Sequence, residues 1–200
     1  MPAQSSPNFD FWRWFLDHQV EFNGLSKPDE PFWDLALEKL QEVDKRLWIE
    51  LSDFATKPRE FIVTAEGHTD AFPIAEALIH LAPIVDGWEF LALKPAMGFD
   101  FTTSYEGKLF DPRGMWFLPL QSPSRPNWLG IRIGIEDLES ADERDARHAV
   151  LIILDTALGE RSAALDIQHT EVSKLPARPE SEGYIELPDL ARYILWRNRV

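Results

Sequence analysis

Residues 60–95 constrain this chain more than any other stretch, because they read as strand, sharp turn, helix and strand. A strand over 60–65 meets the turn Glu66-Gly67-His68-Thr69-Asp70, a helix with Pro73 in its first turn follows, and a second strand covers 88–93. Strands joined through a helix run parallel with a right-handed crossover, which brings both carboxyl ends to one edge of the sheet. Glu66, His68 and Asp70 leave the first strand there and Lys94 leaves the second. Open sheets bind ligands in such crevices. As chemistry, His68 exchanges a proton near neutral pH, Glu66 or Asp70 orients it, and Lys94 stabilises negative charge. The competing structural reading has Asp70 or Thr69 capping the helix, Gly67 permitting the turn and His68 as ordinary surface. No serine lies in a nucleophile-elbow motif that would complete a triad.

Two helices precede this unit. Over 9–22, Phe9, Phe11, Trp12, Trp14, Phe15, Leu16 and Phe22 cover most of the circumference, and Asp10, Arg13, Asp17 and Glu21 form one charged stripe. Such a helix must be covered by protein. Asn23-Gly24 supplies a left-handed stop. A second helix starts near Asp29 with Pro31 in its first turn and repeats Trp33, Leu37, Leu40, Leu47 and Leu51 along one apolar face.

Beyond residue 95 the signals alternate. Phe99, Phe101, Thr103 and Tyr105 have strand periodicity, Glu106-Gly107-Lys108 turns them into a hairpin, and Asp111-Pro112-Arg113-Gly114 fits a type I turn. Trp116, Leu118 and Leu120 resume a strand. Leu129, Ile131, Ile133 and Ile135 alternate with Gly130, Arg132, Gly134 and Glu136, and the two glycines mark flatness, a bulge or a close approach. The acidic run 136–145 leads into a helix with Ala146, Ala149, Val150, Ile153 and Leu154 on its apolar face and Gly159 as its stop. A strand over 164–172, a loop over 175–183 and a helix opened by Pro188 complete the chain. This order predicts an α+β fold: one domain over 1–200 with a flexible lead-in at 1–8, and a single mixed β-sheet containing the β-α-β unit and an antiparallel meander, with helices packed on it.

Composition narrows the function classes. The 200 residues include no cysteine, which removes disulfides, thiolate metal sites and a cysteine nucleophile and makes the cytoplasm the expected location. No apolar run reaches membrane-helix length, and residues 1–8 lack signal-peptide regions, so no membrane partner is expected. A net charge of −14 repels phosphate backbones, opposes general nucleic-acid binding and suits a basic protein partner or high solubility. The five histidines form no metal-ligand spacing, and no glycine-rich phosphate loop is present, so neither metal nor cofactor is implied. Among the eight tryptophans, Trp12, Trp14, Trp33 and Trp48 fall on segments read as helix, where core packing accounts for them. Trp128, between a proline-rich loop and a strand, is the candidate for a contact surface. Arg192, Arg197 and Arg199 oppose the dipole of the last helix.

Several segments, Phe11-Trp12-Arg13-Trp14-Phe15, Thr64-Ala65-Glu66-Gly67, Phe72-Pro73, Ala82-Pro83, Lys94-Pro95 and Leu154-Asp155-Thr156-Ala157-Leu158-Gly159-Glu160, resemble a group of uncharacterised bacterial proteins. The resemblance implies a bacterial cytoplasmic protein and carries no activity or catalytic residues with it. Charge, aromatic content and the lack of a catalytic array favour a non-catalytic interaction or regulatory domain, an immunity-like inhibitor of a basic toxin being one concrete form. The alternatives are an acid-base hydrolase using His68, Glu66, Asp70 and Lys94, or a small-ligand binder at the same strand ends.

Overall fold

A computed structural model describes residues 7–25, 31–136, 138 and 143–199. The chain has an α+β fold and divides into two compact units, Met1–Lys94 and Pro95–Val200. Residues 1–6 of the lead-in expected at 1–8, the start of the second helix near Asp29 and much of the acidic run 136–145 lie outside the described residues, while residues 7 and 8 of that lead-in are helical.

The first unit contains α1 (Pro7–Asp17), α2 (Gln19–Gly24), α3 (Pro31–Gln41), β1 (Trp48–Leu51), β2 (Arg59–Thr64), α4 (Phe72–His80) and β3 (Trp88–Ala92). Its sheet has the order β1-β2-β3, with β1 antiparallel and β3 parallel to β2, so the predicted β-α-β crossover is present. Phe61 and Phe90 are cross-strand partners on the face covered by α1. Trp12 sets its ring against both, and its indole N–H donates to the Leu78 carbonyl of α4 at 2.8 Å.

Two expectations change here. The helix over 9–22 is two helices broken at His18, whose ring stacks on Trp14 at 4.4 Å while its Nδ1 lies 2.9 Å from the Trp14 carbonyl oxygen. The second helix stops at Gln41, and residues 48–51 form a strand instead. Asp44 is the reason: its carboxylate accepts the Arg46 N–H at 3.0 Å and its carbonyl accepts the Leu47 N–H at 3.1 Å, a local turn that competes with helix. Trp48 therefore lies on a strand and is 44% exposed, outside the core role expected of it.

The second unit holds β4 (Thr103–Tyr105), β5 (Lys108–Phe110), β6 (Trp116–Leu120), β7 (Gly130–Ile135), α5 (Glu143–Leu158), α6 (Glu160–Asp166), β8 (His169–Lys174), β9 (Ile185–Glu186) and α7 (Leu190–Arg197). β4 and β5 make a separate hairpin, and the larger sheet runs β8-β7-β6-β9. The single sheet expected from sequence is thus three. Met97 and Gly98 donate their N–H groups to the carbonyls of Thr156 and Ala157 at 3.0 Å each, meeting orphan carbonyls at the end of α5. Those amides are spent on a helix end, and the strand read from Phe99 begins only at Thr103.

A second crossover escaped the sequence pattern: β7 pairs parallel to β8 through α5 and α6. Gly159, at φ 78°, ends α5 as expected, but Ala164 lies in α6 and the following strand starts at His169. Ile131, Ile133, Phe117, Ala149, Val150 and Ile153 are fully buried between sheet and helix. On the other face Gly134 marks a close approach, since a Cβ there would lie 2.6 Å from Leu175 Cδ1 and 3.2 Å from Tyr184 Cε1.

Candidate functional site

The ends of β2 and β3 meet at one rim, as the parallel pairing requires. After β2 the chain turns through Glu66 (φ 51°) and Gly67 (φ 77°), and His68 donates its N–H to the Ala65 carbonyl at 2.9 Å. After β3, Leu93 takes φ 64° while its N–H still reaches the Val63 carbonyl at 2.9 Å. Left-handed backbone at a non-glycine residue costs on the order of 1–3 kcal/mol and persists only where the surroundings enforce it. Here it redirects both exits.

The result is two charge clamps. Lys94 Nζ lies 3.1 Å from Glu50 Oε1 and 3.6 Å from Glu66 Oε1, joining the ends of β2 and β3 to a carboxylate of β1. Arg46 holds Asp44 through two bonds, at 2.8 and 2.7 Å, and also pairs with Asp70. The structure therefore brings Glu66 and Lys94 together and sends Asp70 to a cation the sequence reading did not consider. Neither acid orients His68, which is exposed and has no side-chain hydrogen bond or ion pair among the described residues. The N-cap of α4 is Ala71, with no side-chain cap from Thr69 or Asp70.

Arg46 changes the behaviour of Asp44 in a measurable way. Hydrogen bonds from the guanidinium and from the Arg46 N–H hold the Asp44 carboxyl at about 2, below its ordinary 3.8. A depressed folded-state value means the ionised form favours the folded chain: the stabilisation is complete above the unfolded value and is lost as pH falls toward about 2. The expected outcome is a fall in the urea midpoint on acidification below about pH 5 that is shallower in Asp44→Asn than in the parent chain. Equal slopes would show that the clamp does not act in solution.

A different concavity carries Trp128. A cleft of about 440 Å³ in the second unit is lined by Pro119, Leu120, Pro123, Trp128, Tyr193 and Arg197, among others. Trp128 is 44% exposed, and the Arg125 guanidinium lies over its ring at 3.9 Å from the centroid. Arg197, the last residue of α7, donates from Nη2 to the carbonyls of Pro126 and Trp128 at 3.1 and 3.0 Å. The loop is thereby tied to the helix. A smaller cleft of about 250 Å³ in the first unit is lined by Asn23, Phe54, Arg59 and Trp88. His68 and Lys94 line neither.

Compared with known protein families, characterised proteins and solved structures, the chain matches none. No helix among the described residues is long and apolar enough to cross a membrane.

Sequence reasoning missed three groups. Glu50 falls within the leucine spacing that predicts helix, which hides its strand placement beside Lys94. Arg197 reads in sequence only as a partner of the helix dipole, because its target, the proline-broken loop ending at Trp128, lies 69 residues away. The third group spans two strands: Glu171 lies 3.0 Å from His169 Nε2 and accepts from Arg132 Nε at 2.9 Å, and the hydrogen bonds with His169 and then Arg132 hold its carboxyl below the ordinary carboxylate range. The alternation His169-x-Glu171-x-Ser173 is the signal that puts these side chains on one face.

Proposed function

We propose that this protein is a non-catalytic interaction or regulatory domain whose contact site is the Trp128 cleft. The observation that carries the reading is a half-exposed indole, stacked under Arg125, that helps line a cleft of about 440 Å³ beside Tyr193 and Arg197. Tryptophan, tyrosine and arginine are the residue types enriched at binding hot spots, and a large aromatic surface left open to water gains free energy when a partner covers it. The acid-base reading has less support, because Glu66 and Asp70 are engaged by Lys94 and Arg46 rather than by His68.

The test uses the full chain as bait beside Trp128→Ala and His68→Ala, with retained proteins and small molecules from a cell lysate identified by mass spectrometry. A species held by the parent chain and by His68→Ala, but reduced about tenfold or more in Trp128→Ala, is the expected result. Nothing retained, or retention unaffected by Trp128→Ala, would remove the reading. Loss on His68→Ala alone would return attention to the β2–β3 rim.

A further inference from the structure

We infer that the Trp128 cleft takes a small aromatic anion, a carboxylate or phosphate carried on a planar ring. This deepens the binding reading above and rests on it. The chain as a whole repels anions, with 34 acidic and 20 basic residues. Its arginines are mostly spoken for: Arg46 binds Asp44, Arg113 binds Asp111, Arg132 binds Glu171 and Arg192 binds Asp189. At the cleft this pattern inverts. Among the described residues no acidic side chain lines it, and neither Arg125 nor Arg197 has a carboxylate partner.

The geometry of Arg197 says how an anion is held. Only Nη2 is used on the Pro126 and Trp128 carbonyls, which fixes the guanidinium plane and leaves Nε and Nη1 without partners among the described residues. With Nη2 occupied, Nε and Nη1 point along different edges of the guanidinium, so each offers a single charge-assisted hydrogen bond to a carboxylate or phosphate oxygen. Trp128 and Tyr193 supply apolar ring surface for the body of the ligand, and a volume of about 440 Å³ suits a small molecule.

The sheet edge argues against a peptide strand as the occupant. β9 pairs with Trp116 and Phe117, and no strand among the described residues pairs with the rest of β6 on that side. The Leu187 N–H bonds the Met115 carbonyl at 2.9 Å, so by alternation the main-chain groups of Pro119 face the same open edge. Proline has no N–H to donate there, so a ladder is interrupted beside the cleft.

The test follows the indole N–H resonances of the ¹⁵N-labelled full chain, with the Trp128 signal assigned by Trp128→Phe. Phenyl phosphate, indole-3-carboxylate and neutral benzamide are titrated separately, and the first two arms distinguish phosphate from carboxylate. Either ring anion should shift the Trp128 signal saturably and bind about tenfold or more tightly than benzamide, with weakening as salt rises. Arg197→Gln should reduce that affinity about tenfold. Because Arg197 also ties the loop, Arg125→Gln, which removes no hydrogen bond to the backbone, serves as the second variant and should weaken the same probe. If benzamide binds as well as the anions, or both variants leave affinity unchanged, the anion assignment is wrong while the cleft remains a binding site. If no probe shifts Trp128, the small-anion assignment falls while the lysate retention test still decides the contact site, and tighter binding of a glutamate-rich peptide than of either ring anion would replace the small ligand with a protein segment.

Discussion

Phe61→Ala is expected to destabilise the first unit by about 3–5 kcal/mol, enough to abolish a large share of a typical domain's stability. Phe61 is fully buried, and its ring lies 5.6 Å from Phe15, 5.7 Å from Phe22 and 5.9 Å from Phe90 between centroids. Phe11, Trp12 and Trp88 complete the surround at 6.1, 6.2 and 6.5 Å. Most of these contacts are edge-on or tilted, the arrangement that the aromatic quadrupole favours, so truncation forfeits pairwise terms as well as buried area. The neighbours come from α1, α2 and the parallel strand β3, and a hole left between separate elements closes poorly. Urea unfolding followed by near-ultraviolet circular dichroism checks this directly; a loss under about 1.5 kcal/mol would mean the aromatic cluster is not packed as described.

The same cluster explains why the β-α-β unit was legible from residues alone. β2 is buried on nearly every position and β3 follows a helix of standard length, so burial, turn chemistry and crossover geometry all point one way. The end of α3 was harder. Leu40, Leu47 and Leu51 satisfy a helical spacing as well as they satisfy strand placement, and only the switch to alternation at Leu47, Ile49 and Leu51 tells them apart. An Asx turn at Asp44 decides it, and its partner is a main-chain group that periodicity does not see.

At the candidate site the sequence reached proximity and stopped there. Parallel strands do place Glu66 and Lys94 at one rim, 3.6 Å apart. The destination of Asp70 depended on Arg46, on a segment read as helix, so the orienting carboxylate proposed for His68 was already committed elsewhere. Trp128 shows the opposite case. Its proline-flanked position signalled exposure, but Arg197 is distant in sequence and enters the cleft only because α7 returns to the loop between β6 and β7. Contacts of that separation leave no mark on local pattern.

Arg59→Met carries the second large expectation, a loss of about 2–4 kcal/mol despite near-equal volume. Arg59 is 4% exposed, and its guanidinium donates to the Phe22 carbonyl at 3.0 Å and the Leu25 carbonyl at 2.5 Å. Asn23-Gly24 reads in sequence as a left-handed helix stop, yet Gly24 is not among the residues with positive φ. A side chain from β2 therefore meets carbonyls at the end of α2, where a cation also opposes the helix dipole. Phe54 and Trp88 stack on the guanidinium at 5.3 and 5.2 Å, holding it flat. Methionine keeps the apolar stem and loses every donor, leaving buried carbonyls without the bonds Arg59 supplies, which costs more than the bonds themselves are worth. Lysine retains the charge but lacks the planar fork needed to serve two carbonyls while stacked between rings, so Arg59→Lys should recover less than half of the loss. Thermal and urea unfolding of the three chains decide the matter: full recovery by lysine would assign the effect to charge alone, and no loss in either variant would detach α2 from β2.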